Sequence, residues 1–285
     1  MAILTSRYVS ESLLVDGGTA ELVDTLTSII DDLAARYDLL IPCDEPLLEA
    51  LSEHPAVGRV AAAMPFLPTP ETLRLVLSKV AFLQVARSAG LRVPEFAMCR
   101  SAEEACAVAD ELGYPVVLKR ARSLAASGVR LVDDEAALIE EIRAMDGEEF
   151  LVQRYVRGRV GGTTILMDHG VPVWYFSFYK LFNWPHAFGP SGGGELTDHP
   201  DIGDMIRRIG AMLNFRGLCS IDWLEEAETG LIYLVEFNPR STPTTYYSSQ
   251  AGSDFVTALL GIHLRDTAAE PLPPQTSGAG VLYVS

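Results

Sequence analysis

Asp222, Glu236, Asn238 and Arg240 are the densest cluster of chemically able side chains in the chain. Leu231 to Asn238 is an apolar run carrying polar residues at alternate positions, and strand side chains alternate between faces. Leu231, Tyr233, Val235 and Phe237 are expected on one apolar face, with Glu236 and Asn238 sharing the other. Pro239 lacks an N–H and is expected to end the strand, leaving Arg240 just beyond it. Leu218 to Leu224 reads as the partner strand, and Glu225 to Gly230 as the turn between them. With Gly230 left-handed in a short hairpin loop, Ala227 pairs with Leu231 and Asp222 falls opposite Glu236. Carboxylates so opposed lie roughly 4.5–5.5 Å apart at Cβ and repel. They call for a cation between them or for a shared proton. With Asn238 alongside, the donors are all oxygen, which suits Mg²⁺ rather than zinc. Taken alone, the alternation fits the solvated face of an ordinary hairpin equally well.

Cations stand upstream. Lys119 closes the apolar run Pro115 to Leu118, where burial is unfavourable unless an anion meets it. The small-residue stretch Ser123 to Gly128 follows, and such residues let backbone N–H groups approach phosphate oxygens. Read singly, Lys119 fits a phosphate clamp and a lysine emerging at a sheet edge equally. Lys79 near a helix start is a weaker candidate. Gln153 to Val156, running toward Gly158, offers strand backbone to a flat base.

The elements that position these residues are legible from periodicity. Ala20 to Tyr37 is predicted helical, with Tyr37 to Pro42 as a short buried strand and Glu45 to Leu51 as a helix. Ser78 to Ala89 reads as a helix with Leu83 and Ala86 inward, and Ser101 to Glu104 as a capping box opening another. Strands over 115–120, 129–132 and 149–156, with a helix from Asp134 to Met145, complete a β-α-β-β-α-β layer over about 95–156. Gly158 is read as the end of that layer's last strand. Gly162 to Met167 and Val171 to Phe182 read as strands joined at Asp168-His169-Gly170. Gly189 to Gly194 is expected as a flexible loop, Asp201 to Leu213 as an amphipathic helix, and Thr257 to Leu264 as the last helix.

Composition narrows the function classes. Of 285 residues, 48% are hydrophobic and 21% charged, the balance of a soluble globular enzyme. A net charge of −16 argues against duplex nucleic acid and anionic membrane as partners. The four cysteines and five histidines are scattered without metal-ligand spacing. No apolar run nears the roughly 18 residues of a membrane span, so a cytoplasmic location is expected.

The order of these pieces resembles the ATP-grasp superfamily, in its carbamoyl-phosphate-synthase-large-chain-like and amino-acid-ligase-like branches. The carriers are Leu112 to Lys119, Leu151 to Gly158 and Val235 to Arg240, within a resemblance covering about Thr69 to Leu264. It implies an α+β fold with two subdomains sandwiching ATP: 95–156 as the small subdomain and 157–265 as the large one with the metal site. Residues 1–94 form a shortened N-terminal α/β layer and 266–285 a linker. The resemblance also implies that Lys79 and Lys119 hold the phosphates under a loop containing Gly128, with Gln153, Arg154 and Val156 at the adenine. Asp222, Glu236 and Asn238 would bind one or two Mg²⁺, with Mn²⁺ as an alternative, and Arg240 would stabilise the transferring phosphoryl group. Lys180, Gly192 and Gly193 are read as substrate-side, and Tyr175, Tyr179, Phe182, Trp184, Tyr246 and Tyr247 as flanking the acceptor.

The implied reaction joins a carboxylate to an amine through an acyl phosphate. A kinase, a carboxylating enzyme or a non-catalytic nucleotide-binding module are the alternatives on the same scaffold. Small-molecule substrates are the expected partners, with a homo-oligomer or a second subunit completing the N-terminal layer. One departure is Val160, which stands where many relatives carry a ribose-binding acid.

Overall fold

The computed structural model describes residues 9–120, 128–145, 149–183, 191–245, 255–264 and 281–283. Five helices come first: α1 (Thr19–Arg36), α2 (Glu45–Glu53), α3 (Val57–Ala63), α4 (Pro70–Leu77) and α5 (Lys79–Ser88). Their starts follow local chemistry. Asp44, Thr69 and Ser78 each accept a backbone N–H of the first turn, which meets donors that the helix itself cannot satisfy.

The strand expected over Tyr37 to Pro42 does not form. Leu39 and Ile41 pack against one apolar cluster while Leu40 packs against another. The segment is extended because it straps two cores together, and it pairs with no sheet edge among the described residues. Among the described residues of 9–95 the regular elements are all helices, where an α/β layer is expected.

The next layer forms as read: β1 (Phe96–Cys99), α6 (Ala102–Leu112), β2 (Val116–Arg120), β3 (Val129–Val132), α7 (Glu135–Arg143) and β4 (Phe150–Arg154). Its strands lie in the order β1-β4-β2-β3, all antiparallel. Cys99, Val116, Leu118, Phe150 and Val152 meet the two helices in a closed core. The opposite face presents Val117, Lys119, Leu151 and Gln153, cross-strand neighbours by register.

A six-stranded antiparallel sheet follows: β5 (Gly158–Asp168), β6 (Val171–Asn183), β7 (Ser191–Thr197), then α8 (Pro200–Leu213), β8 (Gly217–Glu226) and β9 (Ile232–Asn238). α9 (Phe255–His263) and β10 (Val281–Tyr283) complete the described chain. The order is β10-β7-β6-β5-β8-β9. Helices α5 and α8 cover one face around Phe82, Ile206, Ile209, Trp223 and Phe237. On the other face, Trp174, Phe176 and Phe178 pack with Leu259 and Ile262 of α9. Two corrections follow. Gly158 opens β5 rather than ending β4, since a Cβ there would fall 1.8 Å from the Glu225 carbonyl oxygen of the neighbouring strand. Gly192 to Gly194 are strand, not loop, because the Phe182 and Phe178 rings lie where Gly192 and Gly194 would carry side chains. Gly189 and Pro190, the stretch Ser123 to Ser127, Trp184, Tyr246, Tyr247 and residues 266–280 of the expected linker lie outside the described residues, whereas Val281–Tyr283 of that linker form β10 and pair with β7.

Candidate active site

The β8–β9 hairpin reaches the expected pairing by a different path. Gly230 is left-handed, with φ of 69°. The turn end pairs Glu225 with Ile232, one residue out of the expected register. A β-bulge between Asp222 and Trp223 then restores Asp222 opposite Glu236 and Ser220 opposite Asn238. The extra residue is Val235, and it reverses the strand's phase. Ile232, Leu234 and Phe237 are therefore the buried positions, in place of the expected face of Leu231, Tyr233, Val235 and Phe237. The bulge also turns Val235 and Glu236 together into one cleft.

That cleft holds about 440 Å³ of empty space, open to solvent. It is lined by Lys79, Val80 and Leu83 of α5, Lys119 and Arg120 of β2, Val129 of β3, Leu151 of β4, and Val235 and Glu236 of β9. Lys79 occupies the first position of α5, directly after its cap Ser78. A cation there opposes the helix dipole, so its placement does nothing for the helix. It pairs with Glu236 at 3.1 Å, aimed by the packing of Phe82 on Phe237 at 5.3 Å between ring centroids. Lys119 enters from the open face of the small sheet and makes no ion pair within 4.0 Å among the described residues. Burial pushes its ammonium down to about 8, and nearby Lys79 adds to this against the pull of Glu236 and Asp222. Burial opposes ionisation of Glu236 too. Lys79, Lys119 and Lys180 outweigh it and hold the carboxyl below its usual range.

Lys180 reaches Asp222 at 2.8 Å from two strands away. Gly162 of β5 lies opposite Asp222 in the register, and the Phe178 ring occupies the space that a Cβ there would fill. The Asp222, Glu236 and Lys180 groups thus form one connected charge network. No group of three or more His, Cys, Asp or Glu is arranged to hold a metal among the described residues. A cation here would rest on the two opposed carboxylates and the Asn238 oxygen. The donors fit a hard cation, since the two opposed carboxylates and the neighbouring amide of one hairpin offer oxygen only.

The remaining expected residues divide. Gln153 is 3% exposed, and its Nε2 has no hydrogen-bond partner among the described residues. An unpaired buried amide is unfavourable by about 1–3 kcal/mol, so this donor is suited to a ligand. Arg154, expected at the adenine, is committed elsewhere. Its guanidinium pairs with Glu95, and with Glu226 at 3.1 Å, while lying 5.2 Å over the Tyr233 ring. Its N–H donates to the Glu95 carbonyl at 2.8 Å. Arg154 clamps the joint between the two sheets. Val156 is buried. The Gly128 carbonyl accepts the Arg120 N–H at 3.1 Å, at the mouth of the cleft.

Arg240 does not line the cleft. Its Nε donates to Glu45 of α2 at 2.8 Å and its Nη1 to the Ser241 carbonyl at 3.4 Å. Glu45 has no signal in the sequence, because nothing local announces that α2 docks against the end of β9. Val80 had one: the Ser78 cap places the first N–H groups of α5 beside Lys79. Gly192 and Gly193 lie on β7, and Lys180 pairs there with Gly194. Tyr179 is core, donating to Glu225 and packing edge-on to Trp223, whereas Phe182 is 48% exposed. Val160 is solvent-facing on β5.

Comparison with known proteins bears on the fold that carries these residues. A family model described as an ATP-grasp domain matches residues 70–158. The carbamoyl phosphate synthase large chain of Clavibacter sepedonicus is 26% identical over 251 residues, covering 79% of this chain and 22% of the relative. That of Thermotoga neapolitana is 24% identical, covering 64% of this chain and 17% of the relative. The chain thus spans about a fifth of the length of these curated relatives. Among solved structures, a Campylobacter jejuni biotin carboxylase in complex with β,γ-ATP superposes with a TM-score of 0.71. It is 17% identical, and the match covers 89% of this chain and 59% of that one. The biotin carboxylase domain of Hydrogenobacter thermophilus 2-oxoglutarate carboxylase, with MgADP, ADP and bicarbonate, gives 0.70 at 16% identity, covering 91% and 60%. With these matches, the chain has the ATP-grasp fold, and residues 70–158 resemble an ATP-grasp domain.

Proposed function

We propose that the chain binds ATP between the small sheet and the six-stranded sheet and transfers the γ-phosphoryl group to a carboxylate-type oxygen. An amine then attacks the acyl phosphate, the C–N bond forms, and phosphate leaves, so the products are ADP, phosphate and an amide. The observation that carries this is the cleft itself. Lys79, Lys119 and Glu236 line it, Asp222 lies opposite Glu236 in the hairpin register, and the unpartnered Gln153 amide lies on the same sheet face as Lys119. Phosphoryl transfer asks mainly for positive charge and positioning rather than a protein nucleophile. Lys79, Lys119 and the first N–H groups of α5 would bind the polyphosphate. Asp222, Glu236 and Asn238 would hold Mg²⁺, which supplies charge neutralisation at the phosphates when bound. Lys180 would meet the acceptor anion, and Arg240, turned from Glu45, the phosphoryl oxygens. Gln153 would read the base edge.

A second reading, carboxylation through bicarbonate as the acceptor, is favoured by the company of the fold: biotin carboxylases, one of them with MgADP and bicarbonate. Incubation with ATP, Mg²⁺ and panels of acids and amines, with and without bicarbonate, separates the two by mass spectrometry. ADP and phosphate are expected as the nucleotide products. AMP and pyrophosphate would overturn the acyl-phosphate route, and ADP release dependent on bicarbonate alone would select the carboxylating reading.

A further inference from the structure

The two carboxylates of the hairpin are each held by a lysine from another element: Glu236 by Lys79 at 3.1 Å and Asp222 by Lys180 at 2.8 Å. Lys119 faces the same pair from the small sheet. Three ammonium groups thus stand against two carboxylates, and the cluster as a whole repels a free cation. All four paired side chains are at least two-thirds buried, so solvent screens them only in part. Ammonium groups are compact point charges on flexible stems, which can exchange one anion for another by rotation about their own side-chain bonds. The two stems come from different directions, one from the start of α5 and one across Gly162 of β5.

We propose that these two lysine–carboxylate pairs are a latch, closing the oxygen site to a divalent cation until a polyphosphate draws the lysines away. The inference rests on the metal-site reading above and adds an order to it. The anion enters first or together with the cation, and a bare cation gains no foothold. The polyphosphate both removes the competing ammonium groups and brings its own oxygens, so cation and nucleotide affinity are coupled, each strengthening the other.

The test is Mn²⁺ binding to the full chain, read from loss of the free-ion spin-resonance signal, without nucleotide and with the non-hydrolysable analogue AMP-PNP. Wild-type protein is expected to take up Mn²⁺ only when the analogue is present. Lys180→Met, and more strongly the K79M/K180M pair, is expected to bind Mn²⁺ without nucleotide, roughly tenfold or more tighter than wild type. Cooperative urea unfolding checks that each variant is folded, and Lys180→Gln serves where the Met variant is not. If wild type binds Mn²⁺ alone as tightly as K180M does, or if no lysine variant gains nucleotide-free binding, the latch is overturned while the metal site stands. Nucleotide-dependent uptake that survives Asp222→Asn combined with Glu236→Gln overturns the metal reading itself, and the latch with it.

Discussion

Along β5 the larger sheet meets two acidic positions, and they are neutralised by different chemistry. At its hairpin end Asp168 is 6% exposed and accepts the Arg216 Nε at 2.9 Å. The same guanidinium donates to the Pro65 carbonyl at 3.3 Å and lies 5.2 Å over the Phe66 ring. Three contacts hold that arginine, and it fastens the N-terminal region to the sheet. Beside Gly162 of β5, Asp222 of β8 and its partner Glu236 of β9 are held instead by Lys180 and Lys79, each through one ammonium contact. A planar guanidinium that is stacked and hydrogen-bonded has one arrangement; an ammonium has many. The difference teaches where this fold is fixed and where it is built to exchange partners. Arg154, tied to Glu95, Glu226 and Tyr233, belongs with the fixed group.

The largest effect expected concerns the exchangeable pair. Glu236→Gln should lower turnover by about 10²–10³-fold while ADP binding by calorimetry stays measurable. Near-normal turnover would remove Glu236 from the phosphoryl site. Next is the fixed pair. Arg216→Met leaves a buried carboxylate uncompensated and should lower unfolding stability in urea by about 3 kcal/mol. Lys180→Met should lose less, about 1–2 kcal/mol, because Asp222 stays 28% exposed against 6% for Asp168. Equal losses in the two variants would erase the distinction between fastening and exchange.

Gly158→Ala tests the joint beside Arg154. Its Cβ would lie 1.8 Å from backbone that cannot yield, and a loss of about 1–3 kcal/mol is expected in the same assay. The smallest effect is the pH dependence of nucleotide binding. Lys119 sits at about 8 in the free protein, and a bound polyphosphate favours its charged form, so its value rises on binding. Above pH 8 binding must then take up a proton, and ADP affinity should fall by at most about tenfold per pH unit. Calorimetry in buffers of different ionisation enthalpy reads that proton directly. Affinity flat between pH 7 and 10 would place Lys119 away from the phosphates.

Much of the frame was legible because its signals are local. The alternation and caps of residues 95–156 produced all six elements in order, and the Asp168-His169-Gly170 turn formed with positive φ at His169 and Gly170. The failures share one cause. Tyr37 to Pro42 has strand composition, yet its alternating apolar residues serve two cores rather than a sheet. Gly192 and Gly194 read as a loop because glycine signals flexibility, and here it makes room for rings from the neighbouring strand. Arg154 read as a nucleotide contact because its carboxylate partners lie 59 and 72 residues away.

By itself, the sequence singled out the groups proposed to carry the chemistry, Lys79, Lys119, Asp222, Glu236 and Asn238, and the hairpin that sets two carboxylates side by side. Spacing along a strand is enough for that, since the pleat converts sequence position into direction. Only the tertiary structure decided which charges meet. The bulge at Val235 turned Glu236 into the cleft, α5 brought Lys79 to it, the sheet order set Lys180 of β6 across β5 from Asp222 of β8, and α2 carried Glu45 to Arg240. Those pairings join elements up to 195 residues apart, and they depend on packing of whole faces that no local pattern encodes.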